Sequence, residues 1–122
     1  MAFGGLSVAH AKADEDTALH HNLFARSDCA AAHIRAQKPA QSTASSNLAV
    51  RRDFLAAHPF DQRFTAWGFE DTDWALSAER RAPILHVDNP ATHAGLDDIP
   101  TLMRKSAEAG RNFARLAKKH PH

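Results

Sequence analysis

Apolar positions recur at helical spacing in several stretches of this chain, and short apolar runs bounded by turn residues separate them. Leu19, Leu23 and Phe24 fall on one helical face, and Cys29 to Ile34 extends that helix or starts a second. Pro39 ends the pattern, because the residue before a proline avoids the helical region. Gln41 to Ser46 is small and polar, which suits a loop or a short exposed strand. Leu48-Ala49-Val50 and Phe54-Leu55 then flank the basic pair Arg51-Arg52. That order predicts a short strand through Ala49 turning into a helix through Leu55, ended by His58-Pro59.

The most informative stretch runs from Phe64 to Leu76. Gly68 predicts a tight turn, and Phe69, Trp74, Leu76 and Ala78 then repeat at helical spacing. Glu70, Asp71 and Asp73 fall in the first turn, where the helix dipole and free backbone N–H groups stabilise a carboxylate by roughly 0.3–1 kcal/mol each. Helix capping alone accounts for acids in that position. The two tryptophans and two phenylalanines around them point further, to a partly dry wall that would raise a carboxylate pKa toward general-base values.

Beyond this helix, Pro83 to Asp88 predicts a short strand with Asn89-Pro90 as its turn. Ile99, Leu102, Met103, Gly110, Phe113, Leu116 and Ala117 form a stripe at helical spacing, expected to face the core. Arg104, Lys105, Arg111, Arg115, Lys118 and Lys119 occupy the other side against the single acid Glu108, a solvated basic face or one that meets pyrophosphate or lipid headgroups.

Composition narrows the class. The 122 residues are 43% hydrophobic and 24% charged, as in a small soluble domain with a modest core. A formal charge of +1 gives no basis for a nucleic-acid partner. Cys29 is the single cysteine, so no internal disulfide forms. No apolar run approaches the ~20 residues that span a bilayer, and the first residues lack the pattern of a secretory signal. A cytoplasmic protein is expected, with contact at the inner face of a membrane the furthest extension of that reading. Asp14-Glu15-Asp16 offers an acid-x-acid pattern, but no apolar strand precedes it, and a helix start near Asp16 or Thr17 is expected instead.

Trp67-Gly68-x-Glu70-Asp71-x-Asp73 resembles the tryptophan-glycine-x-glutamate-aspartate signature of family 2 glycosyltransferases, and is similar to the C-terminal region of beta-1,4-galactosyltransferases. Ser45-Ser46-Asn47 with its apolar and basic continuation, the lead-in Phe60-Asp61, and the turn from His86 to His93 resemble the same family in the same order. The likeness covers about residues 41–120 well and residues 1–40 loosely. It implies transfer of a sugar from a nucleotide-diphosphate sugar to an acceptor hydroxyl. On that resemblance Asp71 is the general base and Glu70 positions acceptor or donor, with the two roles exchangeable. Asn47, Trp67 and Gly68 line the substrate, Asp73 stands beside them or caps the helix, and His93, less strongly His86, completes the coordination of a Mg²⁺ or Mn²⁺ ion.

Such transferases also carry a nucleotide-binding half with an acid-x-acid motif, and residues 1–40 do not supply it. The expected architecture is an α/β fragment, mainly helical with two or three short strands, equivalent to a C-terminal half without its nucleotide-binding sheet. Residues 1–40 are expected as a loosely defined helical or linker segment, and 41–122 as the acceptor and catalytic-base region. Phe60, Phe64 and Trp67 should then leave apolar surface for the missing half to cover. Two other classes fit the chain: a catalytically dead module that binds a separate nucleotide-binding subunit, and a small helical metal binder using His10, His20 or His21.

Overall fold

A computed structural model describes residues 1–121 of the chain. It is a small α/β domain, about 47% helical with a few short strands. The strands are β1 (Ala2–Phe3), β2 (Leu6–Ser7), β3 (Leu48–Ala49), β4 (Leu85–His86) and β5 (Ala91–Thr92). The helices are α1 (Ala18–Ser27), α2 (Ala32–Arg35), α3 (Arg52–Ala57), α4 (Glu70–Glu79) and α5 (Ile99–Lys119). Strands number five rather than two or three, and the extra ones lie where no strand was expected. β1 is the centre of a three-stranded sheet, antiparallel to β3 and parallel to β4, while β2 runs parallel to β5.

The N-terminal segment is therefore a ribbon threaded through the fold, where the sequence suggested only a turn at Gly4-Gly5. Met1, Phe3, Gly4, Gly5 and Ser7 accept backbone hydrogen bonds of 2.8–3.1 Å from residues 85 to 93. Gly5, at φ 91°, is the kink, and a Cβ there would lie 2.5 Å from the Arg35 guanidinium. Arg35 is buried. Its guanidinium donates to the carbonyls of Ala30, Gly4 and Val87 and lies 5.3 Å above the Phe3 ring. A buried charge without a carboxylate is tolerated only when its donors are met in this way.

The main core joins Trp74, Ala75 and Ala78 of α4 to Ala40 and Ile84. Trp74 donates its indole N–H to the His58 carbonyl at 2.7 Å and stacks on Phe60 at 5.2 Å. Phe60 thus packs inside the chain, contrary to the expectation that it waits for another half. Phe64 is half-buried beneath Arg115, while Trp67 remains 52% exposed.

α5 starts as its residues dictate: Asp98 accepts from the Thr101 N–H at 2.9 Å, and Pro100 occupies the first turn. Its face differs from expectation. Leu116 and Asn112 are buried, but Ile99, Met103 and Phe113 of the predicted stripe are exposed. The reason is polar. The Asn112 side chain donates to the carbonyls of Ala66 and Gly68 at 2.8 Å each, and this turns its face of the helix inward.

Candidate functional site

The turn predicted at Gly68 is made by two consecutive left-handed residues. Gly68 has φ 90° and Phe69 φ 69°. A left-handed phenylalanine costs about 1–2 kcal/mol, and such strain persists only where neighbours hold it. Phe69 packs at 5.4 Å from Phe113, and a Cβ at Gly68 would come within 3.3 Å of Ala109. The turn aims the first turn of α4 at a cavity of about 360 Å³. Trp67, Gly68, Glu70 and Asp71 line one side of it, with Phe3 and Arg35 among the residues opposite.

The three acids of this turn have three different environments. Asp71 Oδ2 accepts from the Ser45 N–H at 3.0 Å, and Oδ1 accepts no hydrogen bond among the described residues. Glu70 Oε2 is buried with no hydrogen-bond partner among the described residues. Asp73 is 1% exposed and fully engaged, accepting from Lys119 Nζ at 2.8 Å and meeting His120 Nε2 at 2.9 Å. It lies under the end of α5, outside the cavity, so the structure separates it from the substrate residues with which it was grouped. Asp71 and Asp73, two apart on the helix, point in different directions, and the carboxylate of Asp73 is drawn to Lys119 and His120. Lys119 also bonds Asp61 at 2.8 Å. Hydrogen bonds from Arg63, and then from Lys119, hold the Asp61 carboxyl well below the usual carboxylate range.

The remaining predicted site residues lie elsewhere. Asn47 lines a separate cleft and gives its amide hydrogens to the carbonyls of Gly5 and Asn89, at 2.8 and 2.9 Å. This clamps the N-terminal ribbon, the structural alternative for an asparagine in a turn. His86 has both ring nitrogens committed: Nδ1 accepts from Arg35 Nε at 3.2 Å, and Nε2 meets the Pro39 carbonyl at 3.1 Å. Burial pushes its pKa down. His93 stacks on Phe24 at 4.4 Å beside His20, in a second cavity that shares Trp67 with the first. Burial pushes the His20 pKa down, and its Nδ1 accepts from the Asp97 N–H at 2.7 Å.

The Mg²⁺ or Mn²⁺ ion implied by the resemblance was tested against these residues. His86 does not fit, because a ligand needs a free ring nitrogen. No three His, Cys, Asp or Glu side chains converge on an ion position among the described residues. His93 could give one ligand at most, so the described residues build no cation centre of their own.

Arg35 is the cavity residue that sequence reasoning missed. Its one local signal was Gly4-Gly5, a pair that permits close approach of another group. No family model matches the chain, and neither a curated protein nor a solved structure matches it. No helix among the described residues is long and apolar enough to cross a membrane.

Proposed function

We propose that this chain is the acceptor side of a nucleotide-sugar glycosyltransferase resembling family 2, and that it works only with a nucleotide-binding half. One observation carries the reading. Two adjacent carboxylates with unused acceptor capacity face a cavity beside a half-exposed tryptophan, at a strained turn. Of the two, Glu70 Oε2 is buried without a partner among the described residues, and such an atom is costly to keep unless a ligand uses it.

In this reading the acceptor sugar stacks on Trp67, the usual way an amphipathic ring meets an aromatic face. Asp71 takes the proton from the acceptor hydroxyl as that oxygen attacks the anomeric carbon of the donor. The bond from the anomeric carbon to the diphosphate oxygen breaks, and the diphosphate leaves with its electron pair. Glu70 accepts a hydrogen bond from a neighbouring hydroxyl and orients the acceptor. Neutralising the leaving diphosphate is the chemistry a divalent cation supplies when bound. Its site belongs to the nucleotide-binding half, with His93 as the one contact this chain offers. The reaction is placed in the cytoplasm.

The test is reconstitution. The purified chain alone should transfer no sugar, and the chain joined to a nucleotide-binding half should turn over a nucleotide-diphosphate sugar in the presence of an acceptor. Turnover by the isolated chain, or a reconstituted pair that binds donor yet transfers nothing to any acceptor, would contradict the proposal. The second result would favour the catalytically dead module.

A further inference from the structure

The outward face of α5 is the least explained surface of the molecule. Ile99, Met103 and Phe113 are 50%, 67% and 55% exposed. With Gly110 and Ala117 they fall on one stripe at spacings of three, four and seven. Arg104, Arg111, Arg115 and Lys118 occupy the neighbouring face, all exposed. Arg104 pairs with Glu108 at 2.9 Å, and Arg115 lies 5.8 Å from the Phe64 ring. Arg111 and Lys118 have no carboxylate partner among the described residues. The inward face is held by Asn112, Leu116 and the Lys119–Asp73 pair. The helix can therefore present its outer face without unfolding.

We propose that this face of α5 docks in the plane of an anionic lipid surface. A narrow apolar stripe flanked along its length by arginine and lysine is the pattern that lies in a bilayer interface, its apolar side chains among the acyl chains and its cations at the headgroups. The helix has 21 residues, about 31 Å at 1.5 Å per residue, and is too polar to insert across the membrane. Charge decides between lipid and protein as the occupant. The stripe is one side chain wide and interrupted by Ser106 and Gly110, which gives a protein groove little to grip. The basic row runs beside its whole length, and long cationic side chains reach headgroups readily. This inference does not rest on the glycosyltransferase reading.

The experiment is sedimentation of the full chain with vesicles of phosphatidylcholine, with and without phosphatidylglycerol. Binding should require the anionic lipid and fall as salt rises. Arg111→Ala with Lys118→Ala should weaken it by about fivefold per charge removed. Ile99→Ser with Met103→Ser should abolish most of the remainder; both positions are exposed, so circular dichroism should be unchanged. Equal binding to neutral vesicles, or no binding to anionic ones, would overturn the proposal. So would a dimer in light scattering that Ile99→Ser with Met103→Ser dissociates, since the stripe would then be covered by a second copy.

Discussion

The two flanks of α4 begin from the same short run of acids and end in opposite states. On one flank Asp73 is buried and meets Lys119 and His120. On the other, Glu70 keeps an oxygen buried and unpartnered, and Asp71 keeps one without a hydrogen bond. A carboxylate whose acceptors are all met stabilises the fold. One that is aimed at a cavity with acceptors unmet lowers stability, and it is the kind of group a ligand completes. The contrast gives Asp73 a structural role and leaves Glu70 and Asp71 as the acids of the proposed acceptor side.

The largest stability effect should come from breaking the satisfied flank. Asp73→Ala removes the acceptor that Lys119 and His120 share, leaving Lys119 with Asp61 alone, and loosens the end of α5. Removing one member of a buried pair costs about 3–5 kcal/mol. Because Lys119 is about one-third exposed, about 3 kcal/mol is expected, a fall in melting temperature of roughly 10–15 °C. A melting temperature within a degree or two of wild type would remove the distinction between the flanks.

A smaller effect concerns acid. Burial lowers the pKa of His20 and of His86 from 6.5. The unfolded chain therefore binds protons first, and stability should fall as pH drops below about 6.5, with no contribution from these groups above it. In His20→Gln the loss between pH 7 and 5, followed by thermal melts, should be smaller than in the wild type. An unchanged slope would show that His20 titrates alike in both states.

The smallest effect is expected on the unsatisfied flank. Glu70→Gln gives up a favourable dipole interaction of roughly 0.3–1 kcal/mol but removes a buried charge that lacks a partner. Stability should stay within about 1 kcal/mol of wild type. A loss comparable to that of Asp73→Ala would mean that Glu70 is a structural group.

The elements that could be read in the sequence were those whose signal is local. The α4 corner was announced by Gly68 and its acids, α5 by the helical spacing of its apolar residues from Ile99 to Ala117, and the strand at Leu85 by the residues around it. The N-terminal ribbon was not legible, because two-residue strands separated by glycines carry no periodicity. Their partners are far along the chain, at Leu48–Ala49, Leu85–His86 and Ala91–Thr92. The orientation of α5 was misread for a related reason: its apolar stripe looked like the core side, and two hydrogen bonds from Asn112 outweighed it. The candidate site was legible as a cluster at Trp67 to Asp71. The burial of Asp73 against Lys119 and His120 was not, since those partners lie more than forty residues on, and Arg35 likewise arrives from a distant segment.

The most direct test of the account is the turnover of Asp71→Asn, measured with the chain joined to a nucleotide-binding half as the proposed function requires, alongside the melting temperature of the same variant. Asparagine keeps the size of the side chain and an oxygen for the Ser45 N–H, and it removes the proton acceptor. The rate should fall by about 10²–10⁴-fold, with donor affinity and melting temperature nearly unchanged. A near-normal rate would contradict the assignment of Asp71 as the base and transfer that role to Glu70.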